Sequence, residues 1–264
     1  MKAVTSPIRR FLRVLRRYAA IMLCIIGSLL EYLLNALTGK TSLRHRAYTL
    51  HRWTSRTLRG LAVSYSWEGS APASGLLVAN HLSYLDILVF SAITPCIFVS
   101  KREVRSWPGI GWAATLAGCI YIDRSRQHAT HSIQPQMAAA LAEGVPVVLF
   151  AEGTSSDGRE VLPFRSSLLQ PAVENRIPIA AAGISYAIAD GDPATDVCYY
   201  GDHVLGSHSM KLFGKNGIAA TVRFGDCAKV FTDRKDAARQ LHEQVSALKD
   251  QSAAAVSRVA TALV

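Results

Sequence analysis

Residues 75–86 read Gly-Leu-Leu-Val-Ala-Asn-His-Leu-Ser-Tyr-Leu-Asp, an apolar run that ends in a histidine with a carboxylate five positions later. The run predicts a buried strand ending at Asn80, and the apolar spacing from 82 to 91 predicts a helix. His81 therefore lies at a strand-to-helix corner, and α/β folds place their chemistry at such corners. Asp86, about one turn into the helix, can orient the imidazole, so the pair fits general-base catalysis.

A purely structural interpretation of the same stretch also stands. Asn80 or Ser83 could cap the helix, Asp86 could favour its positive end, and His81 could be a solvated loop residue. The rest of the chain has to decide between the two interpretations.

Outward from this stretch, short β-like runs alternate with helical stretches. Strands are expected at 61–67, 76–79, 97–99, 119–122, 145–150, 177–186, 197–200 and 219–224, and helices at 83–92, 109–116, 128–143 and 233–249. This alternation predicts an α/β fold, a single domain over 61–250 with a largely parallel central sheet flanked by helices. The Ala-rich segment 251–264 is expected to be a flexible tail.

Two further strands are expected to end in polar residues. Ile122 leads directly into Asp123 and Arg124, and the run to Ala151 continues as Glu152-Gly153-Thr154-Ser155. Taken singly, these could be a local ion pair and a Gly/Ser turn. Because three of the expected strands end this way, the three corners could line one cleft that holds His81, Asp86, Arg124 and Glu152.

The chain carries a formal net charge of +10, and the excess lies in its N-terminal part. Up to residue 59 there are 12 Lys or Arg and one acid, Glu31, whereas the remainder is close to neutral. A nucleic-acid-binding protein usually carries its basic patch on the folded domain. Here the basic residues flank an apolar segment from Tyr18 to Leu37, which indicates an anionic membrane surface instead.

That apolar segment is nearly long enough to span a bilayer, which takes about 20 apolar residues. Ser28, Glu31 and Asn35 recur at helical spacing, however, and give its second half a polar face. The stretch after Ser42 carries apolar residues on one face and arginines mostly elsewhere, as in a basic amphipathic helix. Residues 1–60 are therefore expected to form two helices lying in the cytoplasmic leaflet of a membrane, with a single span as the alternative; no A-x-A-like signal-peptide cleavage site follows.

Other functional classes lack their signatures. The five cysteines form no C-x-x-C pair and sit mostly in apolar runs, so we expect buried thiols rather than disulfides or a metal site. The other histidines show no metal-ligand spacing. Gly183-Ile184-Ser185-Tyr186-Ala187 lacks the last glycine of a nucleophile elbow, and the Gly-Lys pair at 214–215 lacks the spacing of a phosphate loop.

The three polar corners, in this order, resemble the motifs of the glycerolipid acyltransferase family, which includes the bacterial lysophosphatidic acid acyltransferases. The first motif, N-H-x-x-x-x-D, is matched by Asn80, His81 and Asp86, and the second, a strand ending in Asp-Arg, by Ile122, Asp123 and Arg124. The third, F-P-E-G-T-R-S, is matched by Phe150, Glu152, Gly153 and Thr154, and the fourth, around Ile-Pro-Ile, by residues 177–179. The ordered set is far more specific than any one motif.

Two departures bear on the acceptor. Ala151 replaces the proline of the third motif, and Ser155 replaces its arginine, which the family associates with the acceptor's phosphate. Residues 161–168 and 199–202 resemble a subgroup that contains lyso-ornithine-lipid acyltransferases. Lysophosphatidic acid is the expected acceptor, with Arg124 and Arg165 as anion partners, and lyso-ornithine lipid is the alternative.

The resemblance implies transfer of a fatty acyl group from a coenzyme A or acyl-carrier-protein thioester to a lysolipid hydroxyl. It makes His81 the general base and Asp86 the residue that fixes its tautomer. The expected substrate-binding residues are Asn80, Asp123, Arg124, Glu152, Gly153, Thr154, Ser155 and Arg165. We expect no metal and no cofactor beyond the thioester donor, membrane lipids as partners, and no nucleic acid. An inactive lipid-binding protein on the same fold is the rival from another class, and a lipid hydrolase is a weaker one.

Overall fold

A computed structural model describes residues 7–107, 109–122 and 134–262, with all side chains in these ranges except those of 134 and 257–262. Its helices are α1 (Pro7–Leu37), α2 (Leu43–Leu61), α3 (Leu85–Ile93), α4 (Ile110–Leu116), α5 (Gln134–Ala142), α6 (Ser166–Glu174), α7 (Pro193–Asp196), α8 (Leu205–Phe213) and α9 (Arg234–Ala262), with a 3₁₀ turn at Arg102–Ser106. Its strands are β1 (Val63–Glu68), β2 (Leu76–Ala79), β3 (Ile97–Lys101), β4 (Ile120–Ile122), β5 (Val147–Phe150), β6 (Ile179–Ile188) and β7 (Ile218–Phe224).

The strands form one sheet in the order β1-β7-β6-β2-β5-β3-β4. Every neighbouring pair is parallel except β6 and β7, which are antiparallel. The strands β4, β3, β5, β2 and β6 therefore run in one direction, and the edge pair β7 and β1 runs in the other. The predicted α/β fold with a largely parallel sheet is confirmed.

Helices cover both faces of the sheet, as the unbroken apolar sequence of β2 requires. Leu77 and Ala79 point into a core shared with α2, α3 and α8. Leu76 and Val78 point into a second core shared with α5, α6 and α9. A strand that is buried on both faces is typical of the parallel sheets of α/β proteins.

The N-terminal helices α1 and α2 pack against each other as an antiparallel hairpin. The polar face predicted for α1 lies against α2: Trp53 Nε1 donates to Glu31 Oε2 at 2.8 Å, and Asn35 Nδ2 donates to Thr49 Oγ1 at 3.2 Å. The Trp53 ring also lies directly on Gly27, where an added Cβ would come within 2.0 Å of it. Glu31 and Asn35 thus serve helix pairing, whereas Ser28 Oγ donates to the Ile25 carbonyl within α1.

The apolar side of α1 stays exposed along its whole length, from Ile8 to Leu37. By length and composition, α1 is long and apolar enough to cross a membrane. None of the residues in its most apolar 18-residue stretch is buried. Near its start, α1 is tied to the α/β domain at the end of α8. Arg13 donates to the Gly214 carbonyl at 2.7 Å, and the buried Arg17 donates to the carbonyls of Phe213 and Lys215 at 3.0 and 2.7 Å.

One expectation about an individual element is wrong, and one predicted helix is described only in part. Residues 197–200 do not form a strand: the amides of Val197 and Cys198 both donate to the Pro193 carbonyl in a turn after α7, and the Tyr199 amide donates to Leu82. A short apolar run does not distinguish a strand from such a covering loop. The helix predicted over 128–143 is present from residue 134 on as α5, and its earlier part lies outside the described residues.

The prediction of a flexible tail over 251–264 is wrong as far as Ala262, because α9 continues to that residue. Ser252 and Val256 are buried, and Ser252 Oγ donates to the Gly183 carbonyl at 3.0 Å. Small side chains let the backbone of this helix approach β6 closely. The Ala-rich composition therefore indicates close packing here rather than disorder.

The contact between β6 and α9 predicts the effect of Gly183→Ala. A Cβ at residue 183 would lie 2.2 Å from the backbone nitrogen of Lys249 and 2.4 Å from the carbonyl carbon of Leu248. Backbone atoms cannot move aside as a side chain does, so we expect a loss of about 1–3 kcal/mol in the free energy of unfolding, the usual cost of overpacking. Thermal or urea unfolding measures it, with Gly206→Ala, which meets no atom within 4 Å, as control. Equal stability of the two variants would contradict the packing.

Candidate active site

The site lies at the edge of the sheet where the parallel strands end. β2 ends at Ala79, and Asn80 and His81 follow before α3 begins at Leu85. The neighbouring β5 ends at Phe150 and is followed by Glu152. Because β2 and β5 are parallel and in register from Leu76 and Val147, the two corners meet. The first and third of the three predicted corners therefore lie side by side, and the second, at Asp123 and Arg124, falls outside the described residues.

His81 and Asp86 form a direct hydrogen bond of 2.8 Å between Nδ1 and Oδ2. The imidazole stacks on the Phe150 ring, with centroids 4.1 Å apart and planes inclined by 10°. With Nδ1 held by the carboxylate, Nε2 is the nitrogen left for another partner, and 21% of the side chain is exposed. An apolar ring on one face and a carboxylate at one nitrogen hold the imidazole in a single orientation.

Asp86 is fully buried and accepts four hydrogen bonds. Its Oδ2 accepts from His81 and from the amides of Leu82 and Ser83, at 2.7 and 3.0 Å for the amides. Its Oδ1 accepts from the hydroxyl of Tyr186 at 2.7 Å. Burial, and after it the Asp86 charge, raise the pKa of the Tyr186 phenol well above its usual value, so the phenol remains a donor. A buried carboxylate needs such donors to stay charged.

Glu152 fastens the two corners together. Its Oε1 accepts from the His81 amide at 2.6 Å and its Oε2 from the Leu162 amide at 2.9 Å. Burial raises the pKa of this carboxyl to about 7, against the two amide hydrogen bonds, which lower it. We predicted that Glu152 would contact substrate, but the structure gives both of its oxygens backbone partners, so it acts on the position of the His81 backbone.

Asn80 also faces inward. Its Nδ2 donates to the Ile184 carbonyl at 3.0 Å, and its Oδ1 accepts from the Ile184 amide at 2.8 Å. The side chain thus continues the ladder between β2 and β6 by one step beyond Ala79. The prediction that Asn80 binds substrate is not supported by this geometry, because a buried amide with both ends bonded to backbone has no group directed at a ligand.

The loop after Glu152 wraps around the histidine corner. Gly153 has a φ of 77°, a conformation that glycine adopts without strain, and its amide donates to Phe150 rather than facing the cleft. Ser155 Oγ donates to the Tyr199 carbonyl, and the Ser156 amide donates to the His81 carbonyl at 3.0 Å. Thr154 is exposed. Of the predicted substrate-binding residues on this loop, Thr154 therefore has the side chain most open to a ligand.

The predicted anion partners are placed unequally. Arg165 has an exposed side chain immediately before α6, and its amide donates to the Ala151 carbonyl at 2.9 Å, next to Glu152. Asp123 and Arg124 lie outside the described residues. Among the residues that are described, no group of three or more His, Cys, Asp or Glu side chains could hold a metal ion.

A cluster of aromatic and histidine side chains behind the corner was missed by the sequence analysis. Tyr84 hydroxyl bonds to His208 Nδ1 at 3.2 Å, and His208 Nε2 donates to the Cys198 carbonyl at 3.0 Å. Tyr199 packs edge-on against both rings. Burial lowers the pKa of His208, so this ring favours its neutral form. Tyr84 directly precedes α3, His208 lies on α8, and Cys198 and Tyr199 lie in the loop after α7. No local sequence pattern links these segments.

The buried thiols do not provide a nucleophile at the site. Burial raises the pKa of Cys198, which lies close enough to Asp86 for that charge to raise it further, to about 12. A thiol attacks as the thiolate, which is scarce near neutral pH at such a pKa. The chemistry that the geometry supports is therefore proton removal by an oriented histidine from a group held beside Nε2.

Residues 65–185 match the sequence profile of the family described as Acyltransferase. The chain is 33% identical to the lyso-ornithine lipid O-acyltransferase of Pseudomonas aeruginosa over 73% of this chain and 75% of that protein, and 35% identical to that of Brucella abortus over 66% and 70%. It is 34% identical to the 1-acyl-sn-glycerol-3-phosphate acyltransferase of Neisseria gonorrhoeae over 44% and 45%.

A solved structure shares the architecture. The 1-acyl-sn-glycerophosphate acyltransferase of Thermotoga maritima superposes with a TM-score of 0.69, covering 92% of this chain and 96% of that one, at 20% identity. At this identity the likeness concerns the fold.

Proposed function

Since this chain belongs to the acyltransferase family, we propose that it transfers a fatty acyl group from a thioester donor to the hydroxyl of a lysolipid, with His81 as general base. The observation that carries this proposal is the His81–Asp86 pair at 2.8 Å, with Asp86 held by three further donors. This arrangement keeps Nδ1 protonated toward the carboxylate and Nε2 available to accept a proton.

The proposed reaction has one proton relay and no covalent enzyme intermediate. His81 Nε2 takes the proton of the acceptor hydroxyl as its oxygen attacks the thioester carbonyl carbon. The carbon–sulfur bond then breaks, and the imidazolium returns its proton to the departing thiolate. Asp86 stabilises the imidazolium between the two steps. A base of this kind contributes about 10²–10⁴-fold to the rate. The donor is the acyl thioester of coenzyme A or of acyl-carrier protein, and no other cofactor takes part.

For the acceptor we propose lyso-ornithine lipid, with lysophosphatidic acid as the second candidate. In the sequence alignments, the relatives named for the first acceptor match over most of this chain, and those reported for the second over less than half of it. Ser155 stands where the family has an arginine, and its hydroxyl is bonded to the Tyr199 carbonyl. The second candidate, which the sequence analysis preferred, is favoured by the exposed Arg165 close to Glu152.

The acceptor is tested by giving the purified full-length chain each lysolipid with the same acyl-CoA. We expect kcat/KM to be higher for lyso-ornithine lipid by about 10–100-fold, because an absent charge-assisted bond to phosphate costs about 1.5–3 kcal/mol. Arg165→Ala should leave this preference unchanged, as should the control Arg239→Ala on the exposed face of α9. A preference for lysophosphatidic acid that only Arg165→Ala reduces would establish the second candidate. Binding without turnover, or hydrolysis alone, would support the lipid-binding protein or the hydrolase.

We further propose that the protein lies in the cytoplasmic leaflet of a membrane and does not cross it. The contacts of α1 with α8 near residue 17 and with α2 at residues 27, 31 and 35 tie both halves of the helix to the rest of the chain. A basic recess of about 490 Å³ lies between α1 and α2 and is lined by Lys40, Arg44, His45 and Arg52. These residues are far from His81 in the sequence, and their positive charge suits anionic headgroups.

A further inference from the structure

A second apolar surface is exposed beside the site. Its residues come after β3 and are far along the chain from the exposed apolar side of α1. It consists of Trp107, Ile110 and Trp112, with 39%, 40% and 77% of their surfaces exposed; we refer to these three residues as the α4 patch. Lys101, Arg102 and Arg105, all exposed, precede it, and Glu103 is the one acid from 101 to 116. Tryptophan next to basic residues is the composition of protein surfaces at the membrane interface.

Hydrogen bonds and a close backbone contact hold the α4 patch in this exposed position. The Gly111 amide donates to the Trp107 carbonyl at 2.9 Å, and the Tyr121 hydroxyl donates to the Gly111 carbonyl at 3.2 Å. A Cβ at Gly111 would lie 2.1 Å from the Arg105 carbonyl oxygen, so the 3₁₀ turn and α4 are in close backbone contact. Exposure of two tryptophans on a fixed support is costly in water unless a partner covers them.

The position of the α4 patch favours a bilayer as that partner. α4 contacts α1, and Gly118 just after it lies against Leu43 at the start of α2, so the patch is continuous with the membrane hairpin. It also follows β3, whose Phe98 packs on Phe150 beneath His81 at 6.1 Å between ring centroids. At the edge of the sheet that carries the site, α1 therefore lies toward α8, and the α4 patch lies toward β3.

We propose that Trp107, Ile110 and Trp112 form a second membrane-contacting surface, which enters the headgroup region of the same leaflet as α1 and holds the mouth of the site against the bilayer. The proposal rests on the lipid acceptor proposed above. With lipid contacts on both sides of His81, a lysolipid would reach the imidazole from the leaflet without passing through water.

Insertion is measured by fluorescence quenching of the full-length chain on phosphatidylglycerol–phosphatidylcholine vesicles with brominated acyl chains. The chain has four tryptophans. Trp53 lies in the α1–α2 hairpin and gives a quenched background common to all variants. We expect Trp107→Phe/Trp112→Phe to remove most of the quenching above that background. Trp67→Phe is the matched control, because Trp67 is 51% exposed on β1, the edge strand at the other end of the sheet. Equal quenching in both variants would overturn the proposal. The quenching measurement needs no catalysis. A protein whose tryptophans are quenched on vesicles but that transfers no acyl group would therefore refute only the proposed function.

A second measurement uses Trp107→Ser/Trp112→Ser. We expect transfer to a vesicle-borne lysolipid to fall by about tenfold, the order expected for removing large apolar side chains from an apolar environment. Transfer to a short-chain lysolipid below its critical micelle concentration should not change. An unchanged rate on vesicles would overturn the proposal. So would a defect seen only with an acyl-carrier-protein donor and not with acyl-CoA, because the surface would then bind the acidic carrier.

Discussion

Replacement of His81 by alanine is expected to lower kcat for acyl transfer by about 10²–10⁴-fold, the contribution of a positioned general base. The loss should fall on kcat, because the proposed role of the imidazole is in proton transfer. The fold should remain, since the side chain is partly exposed at a corner and its apolar contact is the stack on Phe150. Initial rates with acyl-CoA and a lysolipid measure the effect, and circular dichroism with thermal unfolding measures the fold.

The matched control is His242→Ala, which removes another partly buried histidine with one hydrogen bond, from Nε2 to the Val161 carbonyl. It lies on α9 and should leave kcat close to that of the unchanged chain. A folded His81→Ala variant that turns over at near-normal rate would eliminate the proposed mechanism.

Asp86→Asn is expected to reduce turnover by a comparable factor and to destabilise the protein as well. The carboxylate accepts from four donors, whereas an asparagine presents one acceptor oxygen and an NH₂ group that would face donors. Each buried donor left without an acceptor costs about 1–3 kcal/mol. The imidazole would also lose the acceptor that holds its Nδ1 proton. The rate, the pH–rate profile and the melting temperature report the three consequences.

Tyr186→Phe provides the graded comparison, since it removes one of the four donors and leaves the carboxylate in place. We expect a smaller loss of activity than for Asp86→Asn. If Asp86→Asn retained both the rate and the pH–rate profile of the unchanged chain, Asp86 would have no part in orienting His81.

The sequence predicts the corner of His81 and Asp86 well because its information is local. β2 is a short apolar run bounded by polar residues, and its predicted and observed limits coincide at 76–79. Asp86 follows His81 closely enough in the chain for helix geometry alone to bring them together. The amphipathic pattern of α2 likewise places Ala47, Thr54, Leu58 and Leu61 on one face, and all four are buried, but it misses the buried Thr49.

What the sequence could not predict is decided by contacts between distant segments. Tyr186 contacts Asp86 across 100 positions, and nothing around it distinguishes it from another strand residue. Asn80 and Glu152 were expected to face the substrate, because a motif shows which residue types occur together but not which way each points. Both side chains are bonded to backbone amides instead, so residues that the sequence suggests as substrate-binding stabilise the corner.

The pairing of β1 with β7 has a consequence for how the chain is made. Val63 pairs with Ile218, so the strand that directly follows the helical hairpin has no neighbour in the sheet until more than half of the chain has been synthesised. At ordinary rates of translation that interval lasts roughly 10–30 s. The apolar side of α1 is complete throughout this time and can meet a bilayer first. Completion of the sheet then takes place beside the membrane, with the N-terminal strand joining its edge among the last steps.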